Sequence, residues 1–154
     1  MKRILSLCLV SIVTITFFVV ATIWKHSVTA VHAQGGCSVA TLNGNYSFKT
    51  TGFTTPRHSI KGTEIPVAVV GLDTFDGAGN ISATATIAVK GGVFTGLTTS
   101  GTYNVNSDCT GSITDTAGVA SGETQDMVIV SGGTEIFGID AVPSTTATFV
   151  AKKQ

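Results

Sequence analysis

Apolar and polar side chains alternate one by one over most of the chain beyond residue 33. The clearest run is NISATATIAV, residues 80–89. Ile81, Ala83, Ala85, Ile87 and Val89 share one side, and Ser82, Thr84 and Thr86 share the other. A period of two marks a pleated strand with one buried face. VFTGLTTSGTYNV continues in kind, with Val93, Leu97, Tyr103 and Val105 on one face. NYSFKTTGF sets Tyr46 and Phe48 against Ser47 and Lys49. EIPVAVVGLDTF is apolar on both faces, so its alternation leaves the register open. With CTGSITDTA, TQDMVIVSG, TEIFGIDA and TTATFVAKK, the pattern predicts about eight strands. No stretch beyond residue 33 sustains a helical period.

FDGAGN, NSD and SGG read as tight turns, and short connections favour antiparallel pairing of successive strands. The predicted fold is therefore all-β, an eight-stranded antiparallel up-and-down barrel, with a two-sheet β-sandwich as the alternative. Strand parity places those three turns at one end, the bottom, where the first strand starts. TTPRHSIKG, KGG, GVASGE and VPS fall at the top. The several inward alanines leave room for a small apolar cavity, which Phe48, Phe137 or Phe149 would otherwise fill.

Residues 1–33 stand apart. Lys2 and Arg3 precede the uncharged run ILSLCLVSIVTITFFVVATIW, and Val31-His32-Ala33 offers a cleavage site. This is the pattern of an N-terminal signal helix. The run is also long enough to remain as an uncleaved anchor, the one route by which a membrane would be a partner. Residues 34–154 are expected to form one domain in a secreted, periplasmic or cell-envelope protein. That part holds six Lys and Arg against nine Asp and Glu, a net charge of −3. This mild acidic balance argues against nucleic acid, which requires a basic face.

Cys8 leaves with the signal segment, and Cys37 and Cys109 remain. Parity sets both at the bottom, Cys37 before the first strand and Cys109 at the exit of the NSD turn. An even pair in an exported domain predicts a disulfide. Free structural thiols, or a lipid on Cys37, are the alternatives.

Candidate chemistry is sparse. Arg57, His58 and Lys61 lie in the longest top connection, between Pro56 and Pro66, where they would meet an anion or carboxylate at a barrel mouth. Tyr46, Phe48 and Tyr103 are the lumen candidates. Asp73, Asp76 and Asn80 offer oxygens, but their spacing departs from a calcium loop and fits a hairpin turn better. No nucleophile elbow, zinc-ligand spacing or phosphate cradle is present, so no catalytic residue, metal or cofactor is expected.

CSVATLNGNYSFKTTGF, TFDGAGNIS and GTYNVNSDCTGS together resemble a group of exported bacterial proteins without assigned activity. The shared pattern is C-S-x-A-x-L-x-G-x-Y-x-F, then T-F-D-G-x-G-N, then G-T-Y-x-V-N-x-D-C-T-G. VIVSGGTEIFGI is similar to the V-x-G-G-T-G-x-F piece of dirigent and allene oxide cyclase barrels, which are calycin-like and eight-stranded. Glu135 stands here in place of a motif glycine. The leading functional expectation is a disulfide-stapled exported barrel that binds a small apolar or amphipathic molecule, or serves as an envelope or extracellular module. An isomerase or cyclase using Tyr46, Tyr103 or Asp126 inside the barrel is an alternative. A surface interaction protein with a filled core is another.

Overall fold

The computed structural model describes residues 36–54, 64–143 and 145–154. The expected signal helix and its cleavage site, and the connection carrying Arg57, His58 and Lys61, lie outside the described residues.

Eight strands follow one another: β1 (Asn43–Thr54), β2 (Ile65–Asp76), β3 (Asn80–Val89), β4 (Gly92–Val105), β5 (Thr110–Gly118), β6 (Thr124–Val130), β7 (Glu135–Asp140) and β8 (Thr145–Lys153). Each pairs antiparallel with the next, and β8 returns to pair with β1 along Tyr46↔Lys153 to Thr54↔Thr145. The sheet is a closed up-and-down barrel, so the sandwich alternative falls. Closure leaves no sheet edge exposed. Two short 3₁₀ turns, Val39–Thr41 and Ser131–Gly133, are the helical pieces among the described residues.

Alternation holds where the sequence shows it most cleanly. On β3, Ile81, Ala83, Ala85, Ile87 and Val89 face inward and the serine and threonines outward. On β4 the single face expected for Val93, Leu97, Tyr103 and Val105 is broken. The pairing with β3 slips between Ala85↔Leu97 and Ile87↔Phe94, with Gly96 at φ +65°. This bulge turns Val93 outward, where it is 68% exposed. A bulge adds one residue to one strand and so reverses the phase beyond it.

The lower half of the barrel is solid. The chain enters across the bottom through Val39–Thr41, and Leu42 plugs the opening with no exposed surface. Above it Tyr46, Phe75 and Tyr103 stack edge to face, with ring centroids 5.2 and 5.0 Å apart. Such pairs contribute about 0.5–1.5 kcal/mol each beyond their burial. Ile129, Ile136 and Ala151 complete this floor. Phe149 crosses above it, its ring lying over Gly138, where an added Cβ would fall 2.0 Å from the ring. Phe137 is on the outer wall, 46% exposed, and fills no part of the interior.

Cys37 and Cys109 are joined at the bottom, with Cα atoms 4.9 Å apart. The β4–β5 hairpin closes when Cys109 N–H donates to the Asn106 carbonyl (3.0 Å) and Asn106 N–H to that of Thr110 (2.8 Å). Cys109 stands at φ +68°, a left-handed position that glycine normally takes in such a turn. The disulfide needs a side chain where the turn alone would favour none.

Candidate functional site

The upper half of the barrel is hollow. A cavity of about 270 Å³ opens there, walled by Val67, Val69, Ala85, Ile87 and Val89 and bounded below by Phe48, Ile113 and Phe149. The space follows from the sequence. Ala83 and Ala85 occupy successive inward positions of β3, and Gly71 supplies no side chain on the facing stretch of β2. The Phe48 ring fills the place of that missing side chain, 2.6 Å from where a Cβ would stand.

Three aspartates project into this hydrocarbon lumen. Asp73 on β2 sits between Tyr46 of β1 and Ala83 of β3 and is 7% exposed. Asp115 on β5 is 6% exposed and pairs with Gly101 of β4. Its backbone is held by the top connection: its N–H donates to the Glu123 carbonyl and its carbonyl accepts from Gly122 N–H. Asp140 ends β7 beside Gln125 of β6. Glu123, Gln125, Thr50, Thr99, Thr54 and Thr145 add polar atoms around them.

The electrostatics follow from depth and like charge. Burial, then repulsion from Asp115, pushes Asp73 up from the usual carboxylate range to about 7. The same two causes push Asp140 up to about 6. Asp115 is raised by burial, against the pull of the Thr99 hydroxyl, which donates to its carboxylate at 2.9 Å. Thr99 Oγ1 also lies 2.7 Å from the Ala117 carbonyl, so one proton serves two acceptors. Near neutrality this lumen holds a carboxyl that gains or loses a proton readily.

Of the residues expected at the site, Phe48 bounds the cavity. Tyr46 and Tyr103 are inside the barrel but belong to the floor. The Tyr46 hydroxyl donates to the Gly133 carbonyl, and that of Tyr103 lies 2.9 Å from the carbonyls of both Val39 and Leu42. Burial raises both phenols above their ordinary range, so they stay neutral. Their polar ends point to the bottom, away from the hollow half. Asp126 is exposed on the outer face and takes no part in the lumen. Asp76 is consumed by its own turn, accepting from the backbone N–H groups of Ala78 and Asn80 and from the Asn80 side chain.

Asp115 and Asp140 escaped the sequence reading, and Asp73 entered it only among the oxygens of the FDGAGN hairpin, although a signal was there. Each stands in phase with inward apolar residues: Asp73 after Val67 and Val69, Asp115 after Ile113, Asp140 after Ile136. The outer wall also carries a shallow depression of about 600 Å³ over Met127, Val128, Phe137 and Ile139. It is open along one side, so an occupant would keep much of its surface in water. The lumen encloses its contents and is the better candidate. The chain has no significant match among family models, curated proteins or solved structures.

Proposed function

We propose that this protein is an exported binding barrel that takes a small amphipathic molecule into the upper half of its lumen. The observation that carries the reading is the contrast between the two halves. The lower half is packed to exclusion of space, while the upper half keeps an apolar cavity with polar groups set into its wall. A filled interior, which the surface-module alternative needs, is present only below. The Cys37–Cys109 disulfide is compatible with an oxidising compartment and supports export.

Native mass spectrometry of protein purified from its own host tests this directly. A co-purifying small molecule is expected, together with uptake of an apolar fluorescent probe by the emptied protein. Ala85→Phe, which puts a ring into the cavity, should abolish both. A protein that carries no ligand and takes up no probe refutes the reading.

One observation favours a second reading, proton-transfer chemistry on the bound molecule. Asp73 near neutrality and its coupled neighbour Asp115 form a carboxyl pair suited to giving and accepting a proton in an apolar site. Incubation of the recovered ligand with the protein in heavy water decides. Deuterium entering carbon-bound positions, and lost in Asp73→Asn, supports an isomerase or cyclase. A ligand returned unexchanged leaves the binder.

A further inference from the structure

We propose that the lumen selects an amphipathic organic cation, an amine with a compact apolar body, and that Asp73 is its ion partner at the cavity floor. The inference rests on the reading of the lumen as a ligand site and adds the charge of the ligand.

Asp73 is more than nine-tenths buried, yet no hydrogen bond or ion pair among the described residues reaches its carboxyl group. Its oxygens are not sealed in protein, so what exposure remains opens into the cavity it lines. Buried carboxylates are ordinarily matched by donors or cations, because an unpaired one is costly. Among the described residues no side chain of the wall supplies the matching group, and the cavity adjoins the carboxyl.

The groups facing Asp73 from the surrounding elements sharpen the choice. β1 presents Tyr46, whose hydroxyl is turned to the bottom, and β3 presents Ala83. β5 and β7 bring Asp115 and Asp140, and the β5–β6 connection brings Glu123. The basic side chains among the described residues are Lys49, Lys90, Lys152 and Lys153, all exposed. A carboxylate ligand would add a like charge to this field. A neutral one would offer Asp73 a hydrogen bond but no opposite charge. An ammonium group meets it, and Val67, Val69, Ile87 and Val89 receive the apolar body.

Proton balance follows. The amine enters as its ammonium form, the O–H bond of the protonated Asp73 carboxyl breaks, and that proton passes to bulk water. The ammonium and carboxylate then form the ion pair. The raised affinity of Asp73 for its proton predicts that binding strengthens with pH through neutrality.

Three probes with one chain length test the proposal on the purified full chain: octylamine, octanol and octanoate, titrated calorimetrically. Octylamine should bind at least ~10-fold tighter than octanol, with octanoate weakest. Its affinity should rise about 10-fold between about pH 6 and about pH 8, as Asp73 ionises. Asp73→Asn should erase both effects while still binding octanol, which shows that its lumen is intact. Titration of the unaltered protein in two buffers of different ionisation heat gives a check independent of any variant, and proton release on octylamine binding is expected. Equal affinity for all three probes, or binding without proton release, overturns the cation inference and leaves the lumen reading standing. Failure of every probe to bind overturns both.

Discussion

Asp73→Asn gives the sharpest test of how the lumen is built. Burial and the Asp115 charge push this carboxyl up to about 7 in the native state, well above the ordinary carboxylate range. That rise corresponds to about 4 kcal/mol. The sign is fixed by which state holds the proton. Between about pH 4 and about pH 7 the folded chain keeps a proton on Asp73 that the unfolded chain has lost. The resulting stability is complete below the unfolded pKa and disappears as pH rises through the folded one. Asp140, raised to about 6, acts in the same direction. Asparagine has nearly the same shape and never ionises, so the variant lacks the Asp73 share of this decline. At about pH 8 it should be more stable than the parent by up to about 4 kcal/mol, and at about pH 4 the two should nearly coincide. Urea unfolding followed by circular dichroism across that range measures the difference. Asp76 and Asp108, held low by hydrogen bonds in their turns, titrate below this window and cancel in the comparison. A difference that stays flat with pH would show that lumen water solvates Asp73 as bulk water does, and the account of the site would fail.

The other predictions concern the packed half. Cys37→Ser with Cys109→Ser opens a loop spanning 72 residues, a cost of about 4 kcal/mol in the chain-entropy picture, read as a lowered urea midpoint with a steeper slope, because the unlinked denatured chain exposes more surface. Replacing Cys109 by Gly instead of Ser in that double variant should recover about 1 kcal/mol, because its φ of +68° suits glycine; equal midpoints would refute the turn argument. Tyr46→Phe removes the hydroxyl that satisfies the buried Gly133 carbonyl and should cost about 1–3 kcal/mol by the same assay. Gly138→Ala drives a methyl group into the Phe149 ring and should cost about 1–3 kcal/mol, and Phe149→Leu should relieve part of that loss.

The barrel was legible because its strands bury one face each. Ile81 to Val89 announce β3, and the tight turns assign every strand a direction. That alone brought Cys37 and Cys109 to one end, where they are joined. The site was less legible for a physical reason. Hydrophobic alternation identifies a buried face by its apolar members, so an aspartate on that face is read as the end of a strand. Asp115 and Asp140 lie near strand ends and look like the approach to a turn. Asp73 is hidden differently. The outer face of β2 carries Ala68, Val70 and Leu72, with Val70 59% exposed, so the two faces of β2 look alike. Only the pairing of Asp73 with Tyr46 and Ala83 settles which way it points. Phe137 and Asp126 show the converse: composition suggested an interior role for each, and register places both outside.

The chain enters and leaves the barrel at the same end. Cys37 is bonded to the lowest hairpin, and Gln154 N–H donates to the Asn45 carbonyl at 3.0 Å beside the first turn of β1. The hollow half lies at the far end. A tag, a fusion partner or a sensor surface joined to the last residue therefore sits behind the closed floor. The protein can be immobilised through a group joined after Gln154 with its hollow end turned to the sample, so a test of small-molecule uptake from flow needs no re-engineering of the strands.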